Sequence, residues 1–154
     1  MVLRNPVAAE MLVRAAGLGL PQWYLTAGCL FQTVWNVLHG LPVTNGIRDY
    51  DLFYFDASDL SWEAEDVVIR RCADAFGDLG VVVEVRNQAR VHLWYPHRFG
   101  VQVAPFATCE DGVDAFAMTT CCVAMRHDPH GLRTYAPHGF SDLAAGRVRY
   151  PEHA

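Results

Sequence analysis

An α+β fold (α/β-like), a mixed β-sheet flanked by helices, is predicted by three observations. Segments with helical spacing of apolar residues alternate with short runs rich in β-branched and aromatic residues. The 154 residues fit a single domain, 1–154, that can bury a substantial core. Hydrophobic residues make up 52% and charged residues 19%, which argues for compact packing and against disorder.

Residues 7–16 carry a helical pattern that Gly17 and Gly19 end. Residues 22–27, with Trp23, Tyr24 and Leu25, predict a short strand closing at Gly28-Cys29. A second helix is expected over 30–39, stopped by Gly40 and Pro42, then a loop over 43–46. Residues 47–55 read as a strand buried on both faces, and Asp56 as the cap of the turn after it. Asp59 or Ser61 can cap a third helix with Trp62, Val67, Ile69 and Phe76 on its apolar side, closed by Gly77 and Gly80. The β-branched and aromatic residues of 81–95 predict a long strand, or two strands broken near Asn87. Residues 100–106 suggest another strand, 111–117 begin a helix, and 118–126 fit either state. A turn over 128–131, a short strand over 132–135, a short helix from Asp142 and an extended piece over 147–150 complete the chain. The four tryptophans fall within regular elements and are expected in the core.

A net charge of −5 provides no electrostatic footprint for nucleic acid, and no DNA partner is expected, although Arg86, Arg90 and Arg98 leave room for a local basic patch. Five cysteines, an odd number without framework spacing or an N-terminal signal pattern, predict a reduced, cytoplasmic setting with the thiols as small apolar fillers. No apolar run approaches the ~20 residues that span a bilayer, so no membrane partner is expected.

Within the strand of 47–55 stand two acids, Asp49 and Asp51. Alternate strand residues share a face, about 6.5–7 Å apart. Two carboxylates on one face of an apolar strand are costly unless a cation neutralises them, and a hard divalent ion such as Mg²⁺ suits oxygen ligands. Glu84 interrupts the next apolar run and can complete a three-carboxylate site, or else pair with Arg86 or Arg90. The segment after it, with Arg86, Asn87, Gln88, Arg90 and His92, is dense in groups able to bind a nucleotide. Gly28 at a strand-to-helix turn lets backbone N–H groups approach a phosphate. His127-Asp128-Pro129-His130 reads as an exposed turn rather than a metal site.

The order strand, glycine turn, helix, Asp-x-Asp strand and further acidic strand resembles the nucleotidyltransferase fold of the DNA polymerase beta superfamily. Ala27-Gly28-Cys29 through Gly40, followed by Asp49-Tyr50-Asp51, is similar to the Gly-Gly-x-x-Arg-Asp-x-x-x-Gly…Asp-x-Asp start of tRNA nucleotidyltransferases. A family of small bacterial nucleotidyltransferase-like proteins is resembled more closely. That likeness rests on Ala27-Gly28-Cys29, Val34-Trp35-Asn36, the run from Asp49 to Asp56, the block Glu84-Val85-Arg86-Asn87-Gln88-Ala89-Arg90-Val91-His92 and the run from Tyr135 to Leu143.

The resemblance implies metal-dependent transfer of a nucleoside monophosphate from an NTP to an acceptor: a small molecule, a protein or RNA. Asp49, Asp51 and Glu84 would be the catalytic and metal-binding residues, with Mg²⁺ or Mn²⁺ as cofactor. Gly28, Cys29, Asn87, Gln88 and Arg90 would bind the nucleotide. The small size leaves room for a homodimer, or a neighbouring protein, to complete the acceptor site. The third carboxylate is a glutamate, Glu84, on a segment whose register against the Asp strand the sequence does not give, and two further positions depart from the pattern: Cys29 replaces the usual Gly or Ser, and Gln32 the arginine of the tRNA enzymes. They motivate an alternative, a catalytically degenerate module that binds a nucleotide without turnover. A third reading is a thiol hydrolase using Cys29 with His92 as base. The tRNA enzymes' base-reading region has no counterpart, so CCA addition is not expected.

Overall fold

The computed structural model describes residues 1–145. Five strands form one sheet in the order β3-β2-β1-β4-β5: β1 (Tyr24–Thr26), β2 (Tyr50–Tyr54), β3 (Val83–Asn87), β4 (Ala124–Asp128) and β5 (Gly131–Tyr135). Only β2 and β3 are parallel, and the sheet is mixed as predicted. A parallel neighbour requires a crossover, which the chain makes through α3 (Trp62–Phe76). The remaining helices are α1 (Pro6–Ala16), α2 (Gly28–Leu38), α4 (Val91–Phe99), α5 (Cys109–Asp114) and α6 (Ser141–Ala145). Among the described residues no helix is long and apolar enough to cross a membrane.

The main core lies on one face of the sheet. Tyr50, Leu52 and Tyr54 of β2 and Val85 of β3 pack there with Met11, Leu12 and Ala15 of α1 and with Cys72 and Phe76 of α3. Asn5 ties these layers together. Its Oδ1 accepts the Val7 and Ala8 amides and so caps α1, while its Nδ2 donates to Thr33 Oγ1 of α2 and Tyr50 Oη of β2, both at 3.1 Å. The other face is only partly covered: Tyr24, Cys109, Val113 and Ala124 form a small cluster with Phe53, Phe55 and Phe116 at its margin. β2 is therefore buried on one face and half-open on the other, where burial on both faces was expected.

Several expected elements change. The segment 81–95 is a strand only over Val83–Asn87; a 3-10 turn, Gln88–Arg90, then leads into α4. The break falls at Asn87 because its side chain accepts the Ala89 amide and starts the turn. Composition favoured a strand beyond it, yet Val91, Trp94, Tyr95 and Arg98 follow the i, i+3, i+4, i+7 spacing of a helix face. Residues 100–106 have no ladder partner and run as a loop. β2 starts at Tyr50, so Asp49 lies immediately before it rather than within it. The ambiguous 118–126 resolves into a 3-10 turn and the start of β4. Trp23 is core, whereas Trp62 is 63% exposed, against expectation. The extended piece expected over 147–150 lies outside the described residues.

Ser61 caps α3 through the Ala64 amide, and Asp56 accepts the Ser58 amide as the turn requires. All five cysteines are free, and four are buried.

A candidate carboxylate site on the open face

The register of β2 against β3 sets Asp51 directly beside Glu84, and Phe53 beside Arg86. Asp49 joins from the chain entering β2. One carboxylate oxygen from each of Asp49, Asp51 and Glu84 lies within 4.8 Å of the others. Glu84 does not pair with an arginine: none of the ion pairs among the described residues includes it. Its carboxylate lies beside that of Asp51 instead.

Three acids at this spacing repel strongly, on the order of 3 kcal/mol per ionised pair at an effective dielectric near 20. The consequence appears at the most enclosed of them. Burial, then the charges of Asp49 and Glu84, push the Asp51 carboxyl up to about 7, against a partial opposing effect of Arg86. That shift favours the protonated form of Asp51, and a bound cation would displace the proton. Three converging carboxylates on a half-buried face are a hard-oxygen donor set, and they fit a divalent ion such as Mg²⁺ or Mn²⁺.

Asp51 and Glu84 open into a cavity of about 360 Å³. Its aromatic wall comprises Phe53, Trp94, Tyr95, Phe106 and Phe116, with Phe53 and Phe116 stacked at 5.5 Å. Arg86 and Arg98 also line it, and neither has a carboxylate within 4.0 Å among the described residues. Gln88, almost fully buried, closes one side; a Cβ on Gly112 of α5 would collide with its Oε1, so glycine permits the contact. Trp94 and Tyr95 are not among the expected site residues because a strand is predicted over them, although their helical spacing is present in the sequence; Arg98 is expected only as part of a local basic patch.

Of the five nucleotide-binding candidates, Gln88 alone lines this cavity. Asn87 lies behind it, exchanging hydrogen bonds with the Asp56 backbone at 2.9 and 3.0 Å. Arg90 donates to Leu60 O and to Glu65 Oε1, at 2.9 and 2.7 Å; Glu65 Oε2 in turn accepts the Asn87 amide. Together they anchor β3 to α3 and the loop before it.

Gly28 begins α2 beside the carboxylates, because Thr26 of β1 pairs with Asp51. The turn is strained at Ala27, whose φ of 64° is rare for a residue with a side chain. Gly28 itself has no such φ, and an added Cβ would meet only Phe31 at an ordinary 3.8 Å. The fold does not require glycine there, whereas a close ligand would.

Cys29 is buried in the core and donates to Thr26 O at 3.5 Å. Burial, reinforced by the Asp51 charge, holds its thiol far above the usual range, the opposite of an activated nucleophile. The thiol hydrolase reading fails on this point. Gln32 donates to Asn36 Oδ1 at 2.9 Å, and Asn36 Nδ2 donates to Val43 O and Asn45 O, at 3.0 and 2.8 Å. That relay secures the loop leading toward Asp49. Pro129 and His130 form the β4–β5 turn, after His127 and Asp128 end β4 with Asp128 paired to Gly131.

A mixed sheet that gathers three acids beside a strand-to-helix glycine turn, at the mouth of an aromatic cavity, defines a nucleotidyltransferase-type architecture. Residues 13–154 match a nucleotidyltransferase family, and the chain belongs to that family. The fold is also that of a solved NMR structure described as revealing a CCA-adding enzyme head domain. The likeness has a TM-score of 0.79 and 22% identity, over 97% of this chain and 75% of that one. No protein of curated function matches the chain.

Proposed function

We propose that the protein is a divalent-metal-dependent nucleotidyltransferase, moving a nucleoside monophosphate from an NTP to an acceptor hydroxyl. The observation that carries this is the convergence of Asp49, Asp51 and Glu84 at an arginine-bearing aromatic cavity. The same three carboxylates would hold the ion. When bound, Mg²⁺ or Mn²⁺ supplies charge neutralisation to the triphosphate and to the attacking and leaving oxygens.

The chain's own residues supply position and proton transfer. Phe53, Trp94 and Phe116 offer flat surfaces to the base, and Gln88 a side-chain amide to its edge. Arg86 offsets phosphate charge, and the Gly28 turn leaves room for a phosphate at the α2 N-terminus. The acceptor oxygen forms a bond to the α-phosphorus while the bond from that phosphorus to its bridging oxygen breaks. Pyrophosphate leaves with the electron pair, and the hydroxyl proton passes to Glu84. Such transfer depends on positioning and electrostatics more than on a covalent nucleophile.

Incubation with each α-labelled NTP, Mg²⁺ and a cell extract tests this reading. Wild type should label an acceptor species and Asp51→Asn should not. Absence of Mn²⁺-induced paramagnetic broadening near Asp49 and Asp51 would sink the metal site. A second reading, nucleotide binding without turnover, is favoured by Cys29 and Gln32, both committed to internal contacts rather than to the site. It predicts metal-linked NTP binding with no labelled product.

A further inference from the structure

The residues Arg86, Trp94 and Arg98 form a partition with a second face. Beyond it lies a broader groove that they share with Trp62, Arg90 and His97. In a chain of net charge −5, this groove has three arginines against one carboxylate, Glu65, and that acid is already matched to Arg90 at 2.7 Å. Arg86 and Arg98 are left without an acidic partner within 4.0 Å among the described residues. Trp62 stands 63% exposed at the start of α3, whereas the other three tryptophans are buried or half-buried. Neither the cap nor the packing of α3 requires an indole there, since Ser61 makes the cap and Cys72 and Phe76 are the helix's residues in the main core.

Unpaired guanidinium groups beside an exposed indole suit a ligand that is anionic and flat at once. We infer that this groove is the acceptor subsite and takes a nucleotide unit, its ring stacked on Trp62 and its phosphate against Arg98. The inference rests on the reading that the NTP occupies the carboxylate cavity. The groove adjoins that cavity through the shared partition of Arg86, Trp94 and Arg98. A nucleotide unit can come from a free mononucleotide or from the end of a single-stranded RNA.

Binding of a labelled hexaribonucleotide and of a nucleoside monophosphate to the full chain, without NTP or metal, is the test. At least one should bind, Trp62→Ala should weaken it roughly ten-fold, and Trp62→Tyr should restore most of the loss. Arg98→Gln should also weaken it and flatten its salt dependence. Equal affinity for both probes identifies a free nucleotide; preference for the hexamer identifies an RNA end. No binding of either probe, or binding indifferent to Trp62→Ala, overturns the inference. Metal-linked NTP affinity is measured on the same variants. Its absence from the wild type counts against the nucleotidyltransferase reading, whereas its persistence without groove binding counts against this subsite alone.

Discussion

Asp51 and Glu84 sit in register across the parallel β2–β3 pair, with carboxylate oxygens within 4.8 Å of each other. Nothing local in either strand sets this meeting. It depends on the α3 crossover, and on Asn87 and Arg90 fixing the end of β3 to Glu65.

The Asp51 carboxyl is raised to about 7, so below that pH an incoming cation must displace a proton. Mn²⁺ affinity should rise up to about ten-fold per pH unit below 7 and level off above it. Calorimetry in buffers of different ionisation enthalpy should show proton release at pH 6 and little at pH 8.

Stability of the metal-free protein should move the other way. The folded state keeps a proton on Asp51 that the unfolded chain, with the ordinary value of 3.8, releases. Stability contributed by this group is complete below about pH 4 and is lost as pH rises through 7. Urea denaturation in EDTA should give a lower midpoint at pH 8 than at pH 5. Asp51→Asn should flatten that difference and raise the midpoint at pH 8, while lowering transferase activity more than about 100-fold.

Gly28→Ala separates fold from ligand. Its Cβ meets ordinary contact and its φ is not left-handed, so thermal stability should hold or rise by up to about 1 kcal/mol. NTP affinity should nevertheless fall, because the added methyl occupies space a phosphate would use. Unchanged affinity in a binding titration would remove Gly28 from the site.

Asn5→Ala tests the support beneath the site. It removes a helix cap and two buried hydrogen bonds linking α1, α2 and β2. A loss of about 2–4 kcal/mol in denaturant unfolding is expected. The equivalent exposed change, Glu10→Ala on α1, should cost under about 1 kcal/mol despite its contact with Arg14 at 2.8 Å.

What the sequence determined by itself was the candidate donor set: an Asp-x-Asp pair at an apolar strand, a third acid on the next strand, and a glycine at a strand-to-helix junction. These are local patterns, readable because side-chain alternation follows from the backbone alone. The tertiary structure decided which acids meet, and which polar residues serve the site or the scaffold. Asn87, Gln88 and Arg90 read alike in sequence; packing directs Asn87 and Arg90 to Asp56, Leu60 and Glu65 and leaves Gln88 in the cavity wall. It also turned 91–99 into a helix, overriding strand-like composition, because only helical spacing places Val91, Trp94, Tyr95 and Arg98 along one cavity. Register and burial are long-range properties, and no single segment contains them.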